Sequence, residues 1–135
     1  MTLASLSEAP TIDNAGSVSR PPAVPSRGSA ELAIWSVEVA PGAHSEPHTV
    51  SREEVFGLRS GRVSAEVGDK VHEPAPADAI IVPPDTPLRL GNPRSEKALL
   101  TVCTSQGIQS QRGYPCELRD DLAAMGTIVR RGRGR

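Results

Sequence analysis

Apolar and polar residues alternate along much of the chain, with the two-residue period of strands that bury one face. In the clearest case, residues 30–39, the apolar side of the predicted strand consists of Ala33, Trp35, Val37 and Val39. Residues 62–67 alternate in the same way, and residues 98–104 form the last clear strand pattern. Residues 79–82 are a continuous apolar run, which predicts a strand buried on both faces. Turns rich in Gly and Pro separate these segments about every 8–12 residues, as expected of an all-β barrel or sandwich.

The two ends of the chain lack this alternation. The first 28 residues are rich in Ser, Ala, Pro and Gly, and the prolines at positions 21, 22 and 25 argue against a central strand because proline has no backbone N–H. Residues 118–125 have one apolar stripe and predict a short helix that ends at Gly126. The predicted organisation is a flexible N-terminal arm over residues 1–28, a barrel over 29–112, and a short C-terminal helix with a basic tail over 113–135.

Composition and charge narrow the range of partners. The 15 basic and 16 acidic residues nearly cancel, so no overall field favours nucleic acid or a membrane surface. Three aromatic residues are too few for a base-stacking surface. No apolar run approaches the roughly 20 residues of a membrane span, and the N-terminus lacks the pattern of a signal peptide. These features predict a cytoplasmic protein in which Cys103 and Cys116 are free thiols.

The histidines and acidic residues concentrate in residues 41–61, PGAHSEPHTVSREEVFGLRSG. This segment matches the spacing of the first cupin motif, G-x5-H-x-H-x3-E-x6-G, at Gly42, His48, Val50, Glu54 and Gly61. Every interval is kept, but valine stands in the place of the second histidine.

A second segment, residues 77–92, matches the spacing of the second cupin motif, G-x5-P-x-G-x2-H-x3-N. The matching positions are Ala77, Pro83, Asp85, Leu88 and Asn92, so both glycines and the histidine are replaced. The chain therefore resembles the cupin family over about residues 30–105. The resemblance implies an all-β, jelly-roll-like barrel that is open at one end and holds its site inside.

In cupins, the residues at the positions of His48, Val50, Glu54 and Leu88 bind one transition metal. Only His48 and Glu54 remain able to do so here, and a closed or facial-triad site needs at least three ligands. We therefore favour no cofactor and assign His48 and Glu54 as the catalytic pair of a metal-independent isomerisation, cyclisation, epimerisation or dehydration. An inert His–Glu hydrogen bond explains the same two residues equally well.

Two other functions stay open. A metal-dependent cupin oxygenase or isomerase would need His44 as a third ligand beside His48 and Glu54, for Fe, Mn, Ni or Zn. A non-catalytic ligand-binding or accessory protein would need neither a metal nor an acid–base pair.

The predicted ligand is a small and partly apolar organic molecule, because Val50 and Leu88 make the interior drier than a metal site would be. The residues expected to contact it are Val50, Arg52, Phe56, Leu88, Thr101 and Cys103. Arg52 would meet an anionic group at the mouth of the barrel. We also expect the protein to be a homodimer.

Overall fold

A computed structural model describes residues 2–14, 16–108 and 110–112 of the chain. In these residues, eleven strands and two short 3₁₀ turns follow one another. The strands are β1 (Ile12–Asn14), β2 (Ser17–Ala23), β3 (Leu32–Val39), β4 (His48–Val50), β5 (Glu54–Ser60), β6 (Ser64–Val67), β7 (Lys70–His72), β8 (Ala79–Val82), β9 (Leu88–Gly91), β10 (Ala98–Ser105) and β11 (Ser110–Arg112). The 3₁₀ turns span Leu6–Glu8 and Pro25–Arg27.

The strands form two antiparallel sheets that enclose one core. The large sheet has the order β1-β2-β3-β10-β5-β8, and the small sheet has the order β11-β4-β9-β6-β7. Neighbouring strands are often distant in sequence, as in a jelly roll. The apolar core joins residues of both sheets, such as Trp35 of the large sheet and Leu88 of the small one. The all-β, jelly-roll-like barrel predicted from the sequence is confirmed.

The alternation predicted for β3 is present in the structure. Ala33, Trp35, Val37 and Val39 are buried, while the residues between them are partly exposed. Every second residue of β10 is buried in the same way, namely Ala98, Leu100, Val102 and Thr104. The register places Val102 opposite Trp35, so the inner faces of the two strands coincide.

The prediction for residues 79–82 was wrong in one respect. They form β8, but only Ile80 and Val82 are buried, and the Ile81 side chain is 61% exposed. β8 is the edge strand of the large sheet and pairs with β5 alone. Its outer face therefore has no covering element in the described part of the chain, and the strand is half-buried.

The expectation that residues 1–28 contain no central strand was also wrong, because β2 lies between β1 and β3 in the large sheet. β1 and β2 form a hairpin with Gly16 at positive φ, and β2 pairs along β3. The register of β2 shifts between Arg20 and Ala23, where Pro21 and Pro22 lie. This irregularity accommodates the missing backbone N–H groups, which is why two prolines occur inside the sheet. The predicted C-terminal helix lies outside the described residues.

Asn92, at the end of the second cupin-like segment, holds the turn after β9. It is 2% exposed, and its amide nitrogen donates hydrogen bonds to the carbonyls of Val39 and Glu96 at 3.0 and 2.7 Å. Its carbonyl oxygen accepts a hydrogen bond from the backbone N–H of Arg94 at 3.0 Å. These bonds fix β9 relative to β3, and thereby the position of Leu88 in the interior.

Two positions where the cupin motif has glycine keep a glycine-like backbone. Ala77 has φ +82° and Asp85 has φ +60°, in the left-handed region that costs a residue with a Cβ about 1–2 kcal/mol. Both are held by backbone hydrogen bonds: the N–H of Ala77 donates to Leu58 at 2.8 Å and that of Asp85 to Val50 at 2.7 Å. The motif backbone thus persists without the glycines. Within the described residues, no helix is long and apolar enough to cross a membrane.

Candidate functional site

His48 lies at the start of β4 and faces the interior. It pairs with Leu88 of β9, and residues directly opposite across an antiparallel pair share one face of the sheet. Leu88 is 2% exposed and belongs to the core, whereas His48 is only partly buried. The Nδ1 atom of His48 lies 2.8 Å from the carbonyl oxygen of Glu46, in a hydrogen bond that is exposed to solvent. A carbonyl only accepts, so Nδ1 carries the hydrogen, and in the neutral ring Nε2 carries the lone pair.

Glu54 is the first residue of β5 and is buried, with 2% of its surface exposed. Its neighbours on the flanking strands are Val82 of β8 and Thr104 of β10. The Thr104 hydroxyl donates to the carbonyl of Glu53 at 2.6 Å. Burial alone raises the pKa of the Glu54 carboxyl well above its ordinary value. A raised pKa favours the protonated form of the carboxyl, which can donate as well as accept a hydrogen bond.

Apolar side chains surround these two polar groups. Val50 lies two residues beyond His48 on β4 and is 1% exposed, and Phe56 lies two residues beyond Glu54 on β5 and is 8% exposed. Since side chains two apart on a strand share a face, both point inward with their polar neighbours. The structure thus places His48, Glu54, Val50, Phe56 and Leu88 on the inner faces of the two sheets.

Three residues expected to contact the ligand lie elsewhere. Thr101 and Cys103 alternate with the buried Leu100 and Val102, so they are on the outer face of β10. The two residues share one face of β10, as expected, but that face points outward and not toward the interior. Arg52 is exposed, and its guanidinium lies against the turn at Gly107.

His44 is separated from the interior. It is exposed and forms an isolated bridge with Gly91. It borders an open groove of about 250 Å³ with Ser64, Glu66 and Arg89. These groove residues alternate with buried residues of β6 and β9, so the groove lies on the outer face of the small sheet.

The side chains present do not fit the transition metal that the cupin motif implies. The ligand set considered from the sequence, His44, His48 and Glu54, is not assembled, because His44 lies on the outer face. Residues 2–14, 16–108 and 110–112 contain no group of three or more His, Cys, Asp or Glu side chains that could hold a metal ion. Val50 and Leu88, at the positions of the missing ligands, are apolar and buried.

One polar group of the interior was not predicted from the sequence. Trp35 was expected to be a core residue and is 1% exposed, but its indole Nε1 is buried without a hydrogen-bond partner among the described residues. The alternation of β3 indicates that the ring points inward. No sequence signal indicates that its N–H is left unpaired, since that depends on which strands lie opposite.

Comparison with known proteins agrees with the architecture. The family model described as "Cupin domain" matches residues 35–104, which is more than half of the chain. No protein of curated function matches the sequence.

Three solved structures illustrate the similarity of the fold. The polyketide cyclase RemF from Streptomyces resistomycificus has a TM-score of 0.68 at 17% identity, over 78% of this chain and 79% of that one. KdgF from Halomonas sp. has a TM-score of 0.67 at 19% identity, over 77% and 94%. Oxalate decarboxylase from Bacillus subtilis has a TM-score of 0.68 at 18% identity, over 75% of this chain but 28% of its own. With the family model matching the strands that enclose the interior, this chain belongs to the cupin family.

Proposed function

We propose that this cupin binds a small, partly apolar organic molecule inside the barrel and catalyses a metal-independent proton transfer on it. Glu54 is the general acid and His48 is the base. The observation that carries the proposal is the buried Glu54 carboxyl, whose pKa is raised by burial, on the inner face of the large sheet, with His48 on the inner face of the small sheet.

In the proposed reaction Glu54 donates a proton and His48 accepts one. A protonated Glu54 donates its proton to a carbonyl oxygen of the ligand as negative charge develops there. As the base, His48 accepts a proton from the adjacent carbon at a ring nitrogen, and its Nδ1 lies 2.8 Å from the Glu46 carbonyl oxygen. The products of this step are an enol, a carboxylate and an imidazolium, and return of the two protons to different atoms gives an isomer. Apolar walls from Val50 and Leu88 favour a ligand with an apolar body.

The same two groups suit intramolecular ring closure, since an enol attacks a second carbonyl that an acid activates. The name of one structural neighbour, a polyketide cyclase, is compatible with this class of reaction, although the similarity at 17% identity extends to the fold alone. We therefore place isomerisation and cyclisation of carbonyl compounds ahead of dehydration and epimerisation. A homodimer in the cytoplasm stays a prediction.

Deuterium exchange tests the proposal. Full-length protein is incubated in D₂O with a panel of bicyclic ketones that includes 1-indanone and 2-tetralone, and loss of the α-proton signals is followed by ¹H NMR. The wild type is expected to accelerate exchange, with Glu54→Gln and His48→Ala each lowering the rate about 10²–10⁴-fold. Glu53→Gln, at the exposed neighbouring position, is the matched control and should leave the rate unchanged.

Two results would overturn the proposal. Exchange at the buffer rate across the panel would remove the proton-transfer function and favour the non-catalytic ligand-binding protein. Exchange that disappears in EDTA and returns with Fe, Mn, Ni or Zn would replace it with metal-dependent chemistry.

A further inference from the structure

The indole N–H of Trp35 is an unpaired donor inside an apolar region. The side chain is 1% exposed, and Nε1 is buried without a partner in the part of the chain that the structure describes. Indole nitrogen only donates, so it can be satisfied only by an acceptor that comes close to it. Buried polar groups in folded proteins are nearly always paired, and an exception requires an explanation such as a bound molecule.

On β10 and β5, the residues in register with Trp35 have no acceptor side chain. Val102 of β10 is directly opposite Trp35, and Phe56 of β5 is directly opposite Val102 on the other side. These three residues form one row across the sheet. The ring is also part of the apolar core and cannot turn to solvent. The unpaired nitrogen of Arg20 differs in this respect, because Nη2 of the same guanidinium donates to the Ala9 carbonyl at 3.4 Å.

Trp35 and Glu54 border the same part of the interior. Glu54 lies in the row next to that of Trp35, in register with Thr104 of β10 and Ala33 of β3. With strands about 4.8 Å apart and about 7 Å between successive inward residues, their Cα atoms are about 12 Å apart. The inward side chains between them on β10, Val102 and Thr104, are short. This separation is comparable to the length of a bicyclic molecule together with a hydrogen bond at each end.

We propose that Trp35 donates a hydrogen bond from Nε1 to an oxygen of the bound molecule, and so selects oxygenated bicyclic ligands over hydrocarbons of the same shape. The inference rests on ligand binding in the interior as proposed above, and it adds a specificity-determining residue and a chemical class. The ligand has an apolar ring system with a carbonyl, ether or phenolic oxygen. A second oxygen within reach of Glu54 would be activated there.

The test compares two probes that differ by one oxygen, 1-indanone and indane. Trp35 is the only tryptophan, so ¹⁵N-labelled full-length protein gives a single indole N–H resonance that reports on this donor. We expect that resonance to move downfield with 1-indanone and not with indane. A matched variant replaces tryptophan with β-(3-benzothienyl)alanine during expression, which keeps the ring size and removes the N–H at this one position.

Dissociation constants from ligand-observed NMR titrations give the decisive quantity, the preference for 1-indanone over indane. The sulfur analogue is expected to reduce this preference about five- to tenfold relative to the wild type, the worth of one net hydrogen bond. Phe56→Leu, in the same row but without a polar group, should weaken both probes alike. A merely structural role of Trp35 would likewise change both affinities together and leave their ratio constant.

The outcomes separate this inference from the proposed function. An unchanged preference in the analogue, or a stationary indole resonance on 1-indanone binding, overturns the role of Trp35 even where α-proton exchange persists. A shifted resonance and a reduced preference support it even where no exchange is catalysed. Absence of binding by both probes overturns it as well.

Discussion

The raised pKa of Glu54 makes the stability of the protein depend on pH in a measurable way, which the variant Glu54→Gln isolates. Burial raises the pKa of this carboxyl in the folded protein, whereas the unfolded chain has a pKa of about 4.3. At pH values below both, the carboxyl is protonated in both states and stability does not depend on it. As pH rises above about 4.3, the unfolded chain loses a proton that the folded protein retains. The free energy of unfolding of the wild type must then fall until pH passes the raised pKa.

The size of the effect follows from one proton. Inside that pH window the wild type loses about 1.4 kcal/mol of stability for each pH unit relative to a variant that cannot ionise at position 54. The amide of Glu54→Gln has the shape of the carboxyl and does not titrate. The difference in unfolding free energy between the two proteins should therefore change in favour of the variant as pH rises, and become constant above the folded pKa.

Urea denaturation at intervals from pH 4.5 to 8 measures this difference, with the fluorescence of the single tryptophan as the signal. Glu53→Gln, exposed and one residue away, is the control and should stay parallel to the wild type. If the difference for Glu54→Gln is the same at every pH, the carboxyl ionises in the folded protein as it does in the unfolded chain. The general-acid role of Glu54 would then lose its basis.

Four further substitutions test the packing that positions the site, each by urea denaturation. Gly61→Ala should lower stability by about 2 kcal/mol or more, because φ is +79° and a Cβ would lie 2.6 Å from the Lys97 carbonyl oxygen. Gly28→Ala, also at positive φ but with no atom within 4 Å, should cost only about 1 kcal/mol, and equal losses at the two glycines would contradict the clash. Asn92→Ala removes three hydrogen bonds and should cost about 2–4 kcal/mol. Ala77→Gly should instead stabilise the protein by up to about 1 kcal/mol, since it relieves the positive φ; a loss would show that the turn is unstrained.

The sequence predicted the barrel because two kinds of local signal agree with it. Alternation located the inner face of β3, and the motif intervals placed His48 and Glu54 on strands that face inward. Both signals depend only on residues close together in the chain. β2 was not predicted because its prolines argue locally against a strand. The pairing with β3 that stabilises it involves residues that are not adjacent in sequence.

The errors at the site have a common origin: they concern which face of a strand a side chain occupies. His44 pairs with Gly91 and His48 with Leu88, so four steps along one strand face three along the other. The extra residue lies within residues 45–47, which are not part of a strand, and one extra residue reverses which face later side chains occupy. A regular strand would have placed both histidines inside. Likewise, the direction of Cys103 is set by the core that Leu100 and Val102 join.

Ala77 and Asp85 adopt a left-handed backbone that their own side chains disfavour. The shape of these two turns is therefore imposed by the strands to which they are bound. The backbone N–H groups at these positions are bound to β5 and β4, so the turns close even with side chains that disfavour them. Mutational drift can then remove the glycines of the family motif one at a time without changing the shape of the barrel. The same positions offer an engineer stabilisation that leaves the interior chemistry unaltered, because neither side chain belongs to the core.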